Sequence, residues 1–131
     1  MVARPWLRSL DEIRNHISEI VGCKFNFAQV NYYKSGCDRV ARYRDDEGRL
    51  DVSAPVAILS LGTPRTMVMQ HVSDVQKEPV NRIETKFHIL LESGSVLVIR
   101  YPTNIVWYHE QEVEGPRLNL TFRVLLEKNK I

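Results

Sequence analysis

The sequence predicts a mainly β protein over residues 1–131: a single-domain double-stranded β-helix, or jelly roll, with one N-terminal amphipathic helix packed on a sheet. Three observations predict it. The length of 131 residues suits about one domain, only one segment has a helical hydrophobic period, and the chain after Gly22 has period two in eight short segments. A sandwich of another topology is the alternative, because sequence rarely determines strand order.

The helix is predicted over residues 9–21. Ser9 and Glu12 have the spacing of a capping box, with Ser9 as the N-cap. Gly22 supplies the left-handed residue that ends a helix. Apolar residues recur at helical spacing between these signals, at Leu10, Ile13, Ile17, Ile20 and Val21.

Eight strands are predicted after the helix from alternating hydrophobicity. They are Phe25–Tyr33, Arg39–Arg44, Pro55–Leu61, Thr66–Val72, Lys86–Glu92, Ser95–Tyr101, Ile105–His109 and Arg117–Leu125. Turn residues separate several of them, at Lys34-Ser35-Gly36, Gly62-Thr63-Pro64, Ser93-Gly94 and Pro102-Thr103-Asn104.

Composition excludes several classes of protein. No apolar run approaches the roughly 18 residues that a transmembrane helix needs, and the first residues lack the apolar stretch of a secretory signal. We therefore expect an intracellular protein, in the nucleus or the cytoplasm. Cys23 and Cys37 have neither a disulfide framework nor CxxC spacing, which favours two reduced thiols.

The net charge of +2 is compatible with binding a polyanion but is below the basic signature of a dedicated nucleic-acid module. Composition alone favours an ordinary hydrated surface over a basic binding face. The arginines that lie in or near predicted turns are Arg39, Arg42, Arg44, Arg49, Arg65 and Arg82.

The last strand alternates strictly between polar and apolar residues. Its polar residues are Arg117, Asn119, Thr121 and Arg123, and its apolar residues are Leu118, Leu120 and Phe122. The pattern alone favours a polar face in water. The alternative is a polar face that lines the interior, where guanidinium groups would need an anionic partner such as a dicarboxylate.

The segment Arg117–Arg123 resembles the RxNxTxR cosubstrate strand of AlkB-type Fe(II)/2-oxoglutarate dioxygenases. Other segments resemble this family in order, through Phe25-Asn26-Phe27, Asn31–Gly36 and Ala54–Gly62, and His109 stands at the position of its second metal histidine. The resemblance covers about Trp6 to Arg123. It is closest to the animal AlkB homologues that act on duplex DNA, through Gly36-Cys37-Asp38, Arg44–Glu47 and Pro102–Asn104.

The resemblance implies a non-haem iron held by two histidines and one carboxylate, and oxidative demethylation of N-alkylated bases in DNA or RNA by a monomer without membrane attachment. It assigns Asp45 and His109 to the metal and Asp46 to the damaged base. The residues that it assigns to 2-oxoglutarate are Asn31, Tyr33, Arg117, Asn119, Thr121 and Arg123. On a strand that borders the substrate cleft in relatives, His71 is a candidate nucleic-acid contact.

Tyr43 departs from the family, because it stands where the first metal histidine is expected. A phenol has a pKa near 10 and must lose its proton to coordinate well, and a phenolate favours ferric over ferrous iron. We therefore expect weak iron binding and low or absent turnover. The alternative is a non-catalytic jelly-roll module that keeps the 2-oxoglutarate pocket or a nucleic-acid surface.

A second expected departure concerns the segment that precedes the helix in relatives and covers a flipped base. The chain begins at about the helix, so the sequence predicts that this base-recognition lid is missing or truncated. A flipped base needs stacking and edge contacts to offset its unstacking, and duplex binding is therefore expected to be weak.

Overall fold

The computed structural model describes residues 5–33, 40–43, 50–71, 86–111 and 115–126, with the backbone alone at 40–43, 105–106 and 108–111. The predicted mainly β fold with one long helix is confirmed, and all eight predicted strands form, with no end shifted by more than two residues. In chain order the elements are α1 Arg8–Val21, β1 Phe27–Tyr33, β2 Val40–Tyr43, β3 Val56–Gly62, β4 Arg65–His71, β5 Lys86–Leu91, β6 Val96–Ile99, α2 Thr103–Val106, β7 Trp107–Gln111 and β8 Arg117–Arg123.

The strands form two antiparallel four-stranded sheets, as expected for a jelly roll. The first sheet has the order β1-β8-β3-β6 and the second β2-β7-β4-β5. Strands that are distant in sequence are therefore neighbours, since β8 lies between β1 and β3. The core between the sheets consists of buried apolar side chains from both of them: Val56, Ile58, Met67, Met69, Leu91 and Ile99.

Helix α1 begins one residue earlier than predicted, and the predicted capping box is wrong. Leu7 is the N-cap and makes no side-chain capping bond, while Asp11 donates its backbone N–H to the Leu7 carbonyl at 2.8 Å. Ser9 therefore lies inside the first turn, and Glu12 accepts a hydrogen bond from Arg8 instead. The predicted end is confirmed, because Gly22 adopts a left-handed φ of 76°.

Helix α1 packs on the outer face of the first sheet, as predicted. The buried Ile17 contacts an apolar cluster that includes Phe25, Ala57, Leu120 and Phe122. The apolar residues of β8 are therefore covered by the helix, and its opposite face is turned towards the second sheet. The helix therefore stabilises β8, the strand that carries the polar row Arg117, Asn119, Thr121 and Arg123.

The turn between β3 and β4 lies against the residue that precedes β8. Gly62 has a φ of +98°, and a Cβ added there would meet the Pro116 carbonyl oxygen at 2.9 Å. Thr63 donates its backbone N–H to the same oxygen at 3.1 Å. Only glycine fits this close approach without strain, and the contact holds the start of β8 beside the start of β4.

The predicted turn at residues 102–104 continues into the single helical turn α2, so strand β7 begins at Trp107 rather than Ile105. Asn104 is buried, and its Nδ2 donates to the Val52 carbonyl at 2.8 Å. The side-chain bond anchors the turn against the segment that leads into β3. The Asn104–Val52 hydrogen bond explains why Ile105, which was expected to start a strand, lies in a helical turn.

Cys23 has a free thiol, as predicted, and burial together with the Asp51 carboxylate raises its pKa. Cys37 lies outside the described residues. Among the helices that the structure describes, none has the length and apolar character needed to cross a bilayer.

Candidate active site

The polar residues of β8 face the interior of the roll, so the pattern-based expectation of a hydrated face is wrong. Their exposed fractions are 1% for Arg117, 2% for Asn119, 3% for Thr121 and 9% for Arg123. The reason is the neighbouring strand: Thr121 pairs with Ile58, and Ile58 belongs to the core between the sheets. The alternative in which this face lines the interior is the correct one.

Arg117 is a buried cation with unused donor capacity. Its Nη2 donates to Ser60 Oγ at 2.6 Å, whereas Nε and Nη1 have no hydrogen-bond partner among the described residues. Its pKa is lowered to about 10, first by burial and second by the positive charge of Arg65, while Tyr33 acts in the opposite direction. Arg117 therefore stays protonated at pH 7 and has two donors for an anion.

Arg65 is part of this site, although composition favours a hydrated surface for the arginines in or near turns. Its exposed fraction is only 2%, and its guanidinium carbon lies 4.5 Å from the centroid of the Tyr33 ring. The predicted strand began at Thr66, which left Arg65 in the turn. The signal that could have found it is the alternation of Arg65, Met67 and Met69, since the two methionines lie in the core.

Asn31 and Asn119 form a direct polar contact between β1 and β8. The two residues are Cα partners, and Asn31 Nδ2 donates to Asn119 Oδ1 at 2.8 Å. Tyr33 pairs with Arg117 in the same ladder. The structure therefore brings Asn31, Tyr33, Arg117 and Asn119 together on two adjacent strands.

Arg117 and Arg123 stand at opposite ends of the polar row. Six residues of extended strand separate their Cα atoms by about 20 Å. In a ligand bound by both side chains, Arg117 would therefore contact one end and Arg123 the other. That both contact a single dicarboxylate stays a prediction.

The two described candidate metal positions are neighbours in the second sheet. Tyr43 on β2 and His109 on β7 are Cα partners, and His109 pairs with Met69 of β4 on its other side. The predicted ligand Asp45 and the predicted base contact Asp46 lie outside the described residues. No group of three His, Cys, Asp or Glu side chains gathers within the part of the chain that is described.

An aromatic cluster lies two register pairs beyond His109. His71 pairs with Trp107, and their rings meet edge to face with centroids 5.3 Å apart. Phe87 is exposed, and its ring centroid lies 5.2 Å from that of Trp107. The ring of Trp107 thus contacts His71 near the candidate metal position His109. A contact of His71 with nucleic acid stays a prediction.

The buried donors near Arg117 fit an anionic ligand. Arg117 and Arg65 are two buried cations that interact electrostatically, and two nitrogen atoms of Arg117, Nε and Nη1, have no hydrogen-bond partner among the described residues. Burying like charges is costly unless an anion compensates them. A carboxylate would satisfy the guanidinium donors with short, charge-assisted hydrogen bonds.

Comparisons with known proteins agree with this geometry. The profile of the 2OG-Fe(II) oxygenase superfamily matches residues 1–123. The proteins named DNA oxidative demethylase ALKBH2 are similar to the chain, with 40% identity in human, 37% in mouse and 38% in cattle. The alignments cover 97%, 99% and 97% of this chain and 50%, 56% and 47% of those proteins.

The chain thus spans about half the length of these relatives. The matched region includes all eight strands and the complete RxNxTxR segment of β8. The chain belongs to the 2OG-Fe(II) oxygenase superfamily.

Proposed function

We propose that this chain is an Fe(II)/2-oxoglutarate-dependent oxidative demethylase of N-alkylated bases in DNA or RNA, with activity impaired by Tyr43. The observation that carries the proposal is Arg117, a cation with 1% exposure whose Nε and Nη1 lack partners among the described residues. The relatives named as DNA oxidative demethylases support the substrate class. We place the protein in the nucleus or the cytoplasm, acting as a monomer.

The interior of the roll is assigned to the cosubstrate. Arg117 and Arg123 supply positive charge from the two ends of β8, and the Asn31–Asn119 hydrogen bond orients the amide groups between them. Tyr33 and Thr121 complete the set on the same face of the sheet. The core that closes over this face excludes water, and low polarity strengthens each charge-assisted bond.

Iron is assigned to Asp45, His109 and the position of Tyr43. When bound, iron with 2-oxoglutarate and oxygen supplies the oxidation of an N-alkyl carbon, which then leaves the base as formaldehyde. Asp46 is assigned to the damaged base. The pairing of Tyr43 with His109 supports the metal assignment, because paired residues on adjacent strands are close enough to bind one ion.

A second function remains in competition because of Tyr43. A neutral phenol is a poor ligand for ferrous iron at pH 7. The alternative is a non-catalytic module that binds 2-oxoglutarate or nucleic acid. Such a module would keep the polar row of β8 and would lack only the bound iron. The two functions differ in a single measurable property, which is ferrous iron binding.

The experiment is Tyr43→His, with iron binding measured anaerobically and succinate formation measured in the presence of 2-oxoglutarate and oxygen. Neutral imidazole needs no deprotonation, so iron affinity should rise by at least about 10-fold. Succinate should then form without nucleic acid. Tyr32→His is the matched control, since Tyr32 is 61% exposed on β1 and should leave iron binding as in the parent.

Two results would contradict the proposal in different ways. Equally tight iron binding in the parent and in Tyr43→His would show that Tyr43 does not impair the site. Absence of iron binding in both proteins would favour the non-catalytic module.

A further inference from the structure

The end of the pocket at Arg117 contains a second arginine that comes from the opposite sheet. Arg65 is the first residue of β4 and pairs with Leu91 of β5, so its backbone belongs to the second sheet. Its guanidinium nevertheless lies over the ring of Tyr33, which belongs to β1 of the first sheet. The side chain of Arg65 therefore spans the space between the two sheets.

The position of the Arg65 guanidinium is determined by two neighbours. The face of an aromatic ring attracts a cation, and the 4.5 Å separation from the Tyr33 centroid is within the range of that attraction. Tyr33 is the Cα partner of Arg117. The Arg65 guanidinium therefore lies on the side chain of the residue that is paired with Arg117, and it is close enough to lower the pKa of Arg117.

Arg65 and Arg117 are both buried, and the positive charge of Arg65 acts against that of Arg117. Ser60 Oγ accepts one hydrogen bond from Arg117 and carries no charge. No described acidic side chain contacts Arg117. A bound carboxylate would relieve the repulsion and accept hydrogen bonds from a planar guanidinium in the geometry that arginine favours.

The register identifies which end of a dicarboxylate would lie here. Arg65 is four residues from Met69 along β4, or about 13 Å of extended chain. Met69 is the Cα partner of His109, the candidate metal position. Arg65 and Arg117 therefore face the carboxylate that is remote from the metal.

We propose that Arg65 is a specificity-determining residue of the pocket: with Arg117 it binds the 5-carboxylate of 2-oxoglutarate and selects this dicarboxylate over 2-oxo acids with an uncharged tail. The proposal rests on the proposed cosubstrate. It adds a residue that lies outside the RxNxTxR segment and on the other sheet.

Calorimetry on the intact chain tests the proposal with two probes, 2-oxoglutarate and 2-oxopentanoate, which has the same carbon chain without the 5-carboxylate. Arg65→Met should weaken 2-oxoglutarate binding by at least about 10-fold, the effect of losing one hydrogen bond to a charged group. Binding of 2-oxopentanoate should change by less than about twofold. Arg65→Lys should fall between parent and Arg65→Met, because it keeps the charge and loses the planar fork.

Arg100→Met is the control for removal of an arginine, since Arg100 is exposed and follows β6, which lies at the opposite edge of the first sheet from β1 and Tyr33. It should bind both acids as the parent does. Thermal melting of each variant reports whether it is folded. If Arg65→Met does not fold, the affinities of Arg65→Lys for the two acids replace it in the test. Arg65→Lys should then bind 2-oxoglutarate more weakly than the parent and 2-oxopentanoate as the parent does.

Equal affinity of parent and Arg65→Met for 2-oxoglutarate would overturn the proposal and leave the proposed function intact. An equal loss of both acids would also overturn it, because a purely structural role would not distinguish the acids. A parent that binds no 2-oxoglutarate would overturn the proposed cosubstrate and this inference together.

Discussion

The two faces of strand β8 are both covered, but by different kinds of structure. The outward residues Leu118, Leu120 and Phe122 pack in the apolar cluster beneath α1. The inward polar residues meet the core between the sheets, where Arg117 has donors without a described partner. Burial of the outward face stabilises the fold, whereas burial of the inward charges costs free energy. The comparison indicates that the inward face is retained for binding.

The largest effect is expected on the outward face, from Phe122→Ala. Phe122 is fully buried, and its ring centroid lies 6.2 Å from that of Phe25. Loss of the ring should lower the free energy of unfolding by about 3–5 kcal/mol. Denaturant titration measures this loss, and calorimetry on the folded protein should give an unchanged affinity for 2-oxoglutarate. A large loss of affinity in molecules that remain folded would break the comparison.

A replacement on the inward face, Arg123→Leu, should affect the affinity for 2-oxoglutarate and leave stability nearly unchanged. It removes a charge-assisted contact, so 2-oxoglutarate binding should be abolished. The melting temperature should change little, because a leucine avoids the desolvation cost of a buried guanidinium. Calorimetry and thermal melting of parent, Arg123→Leu and the exposed control Arg100→Leu give both quantities. Unchanged affinity would mean that the polar row is not the pocket.

The smallest effect is expected from pH. Burial lowers the pKa of Arg117 to about 10, so its charge is constant at neutral pH. Affinity for 2-oxoglutarate should be flat below that range and should fall as pH rises through about 10. The lowered pKa also means that the folded state releases the proton first, so the Arg117 contribution to stability increases as pH rises above about 10 towards the ordinary pKa of arginine.

Calorimetry across this pH range, on the parent and on Arg117→Met, measures the effect. The variant has no group at that position to titrate, so its residual affinity should lack the decline that Arg117 causes. The same decline in both proteins would assign it to another group and would remove Arg117 from the pocket.

Sequence alone was sufficient for the strands and the helix, because each has a clear hydrophobic period over several residues. It could not determine which face of β8 lies inside. That depends on β1 and β3, which are neighbours of β8 in the sheet but lie far away in the chain. A polar row on a strand has the same pattern in water and in a binding pocket.

The candidate site was predicted in part. Resemblance supplied the residues of β1 and β8, and the structure brings Asn31, Tyr33, Arg117 and Asn119 together. Arg65 was missed because a one-residue error in the start of β4 moved it from a buried strand position to a turn. Strand ends depend on tertiary packing, here on the contact of Gly62 with Pro116, and local pattern carries little information about it.

The contact between Gly62 and the Pro116 carbonyl has a consequence for anyone who would redesign this protein. Gly62 lies against the backbone of Pro116 and Arg117 and stands three residues before Arg65 in the chain, so the contact links the backbone positions of the two buried arginines. Lengthening or stiffening the β3–β4 connection would move Arg65 relative to Arg117 while every side chain of the pocket stayed the same. On the proposed role of Arg65, a change in this loop should alter the selectivity for 2-oxo acids.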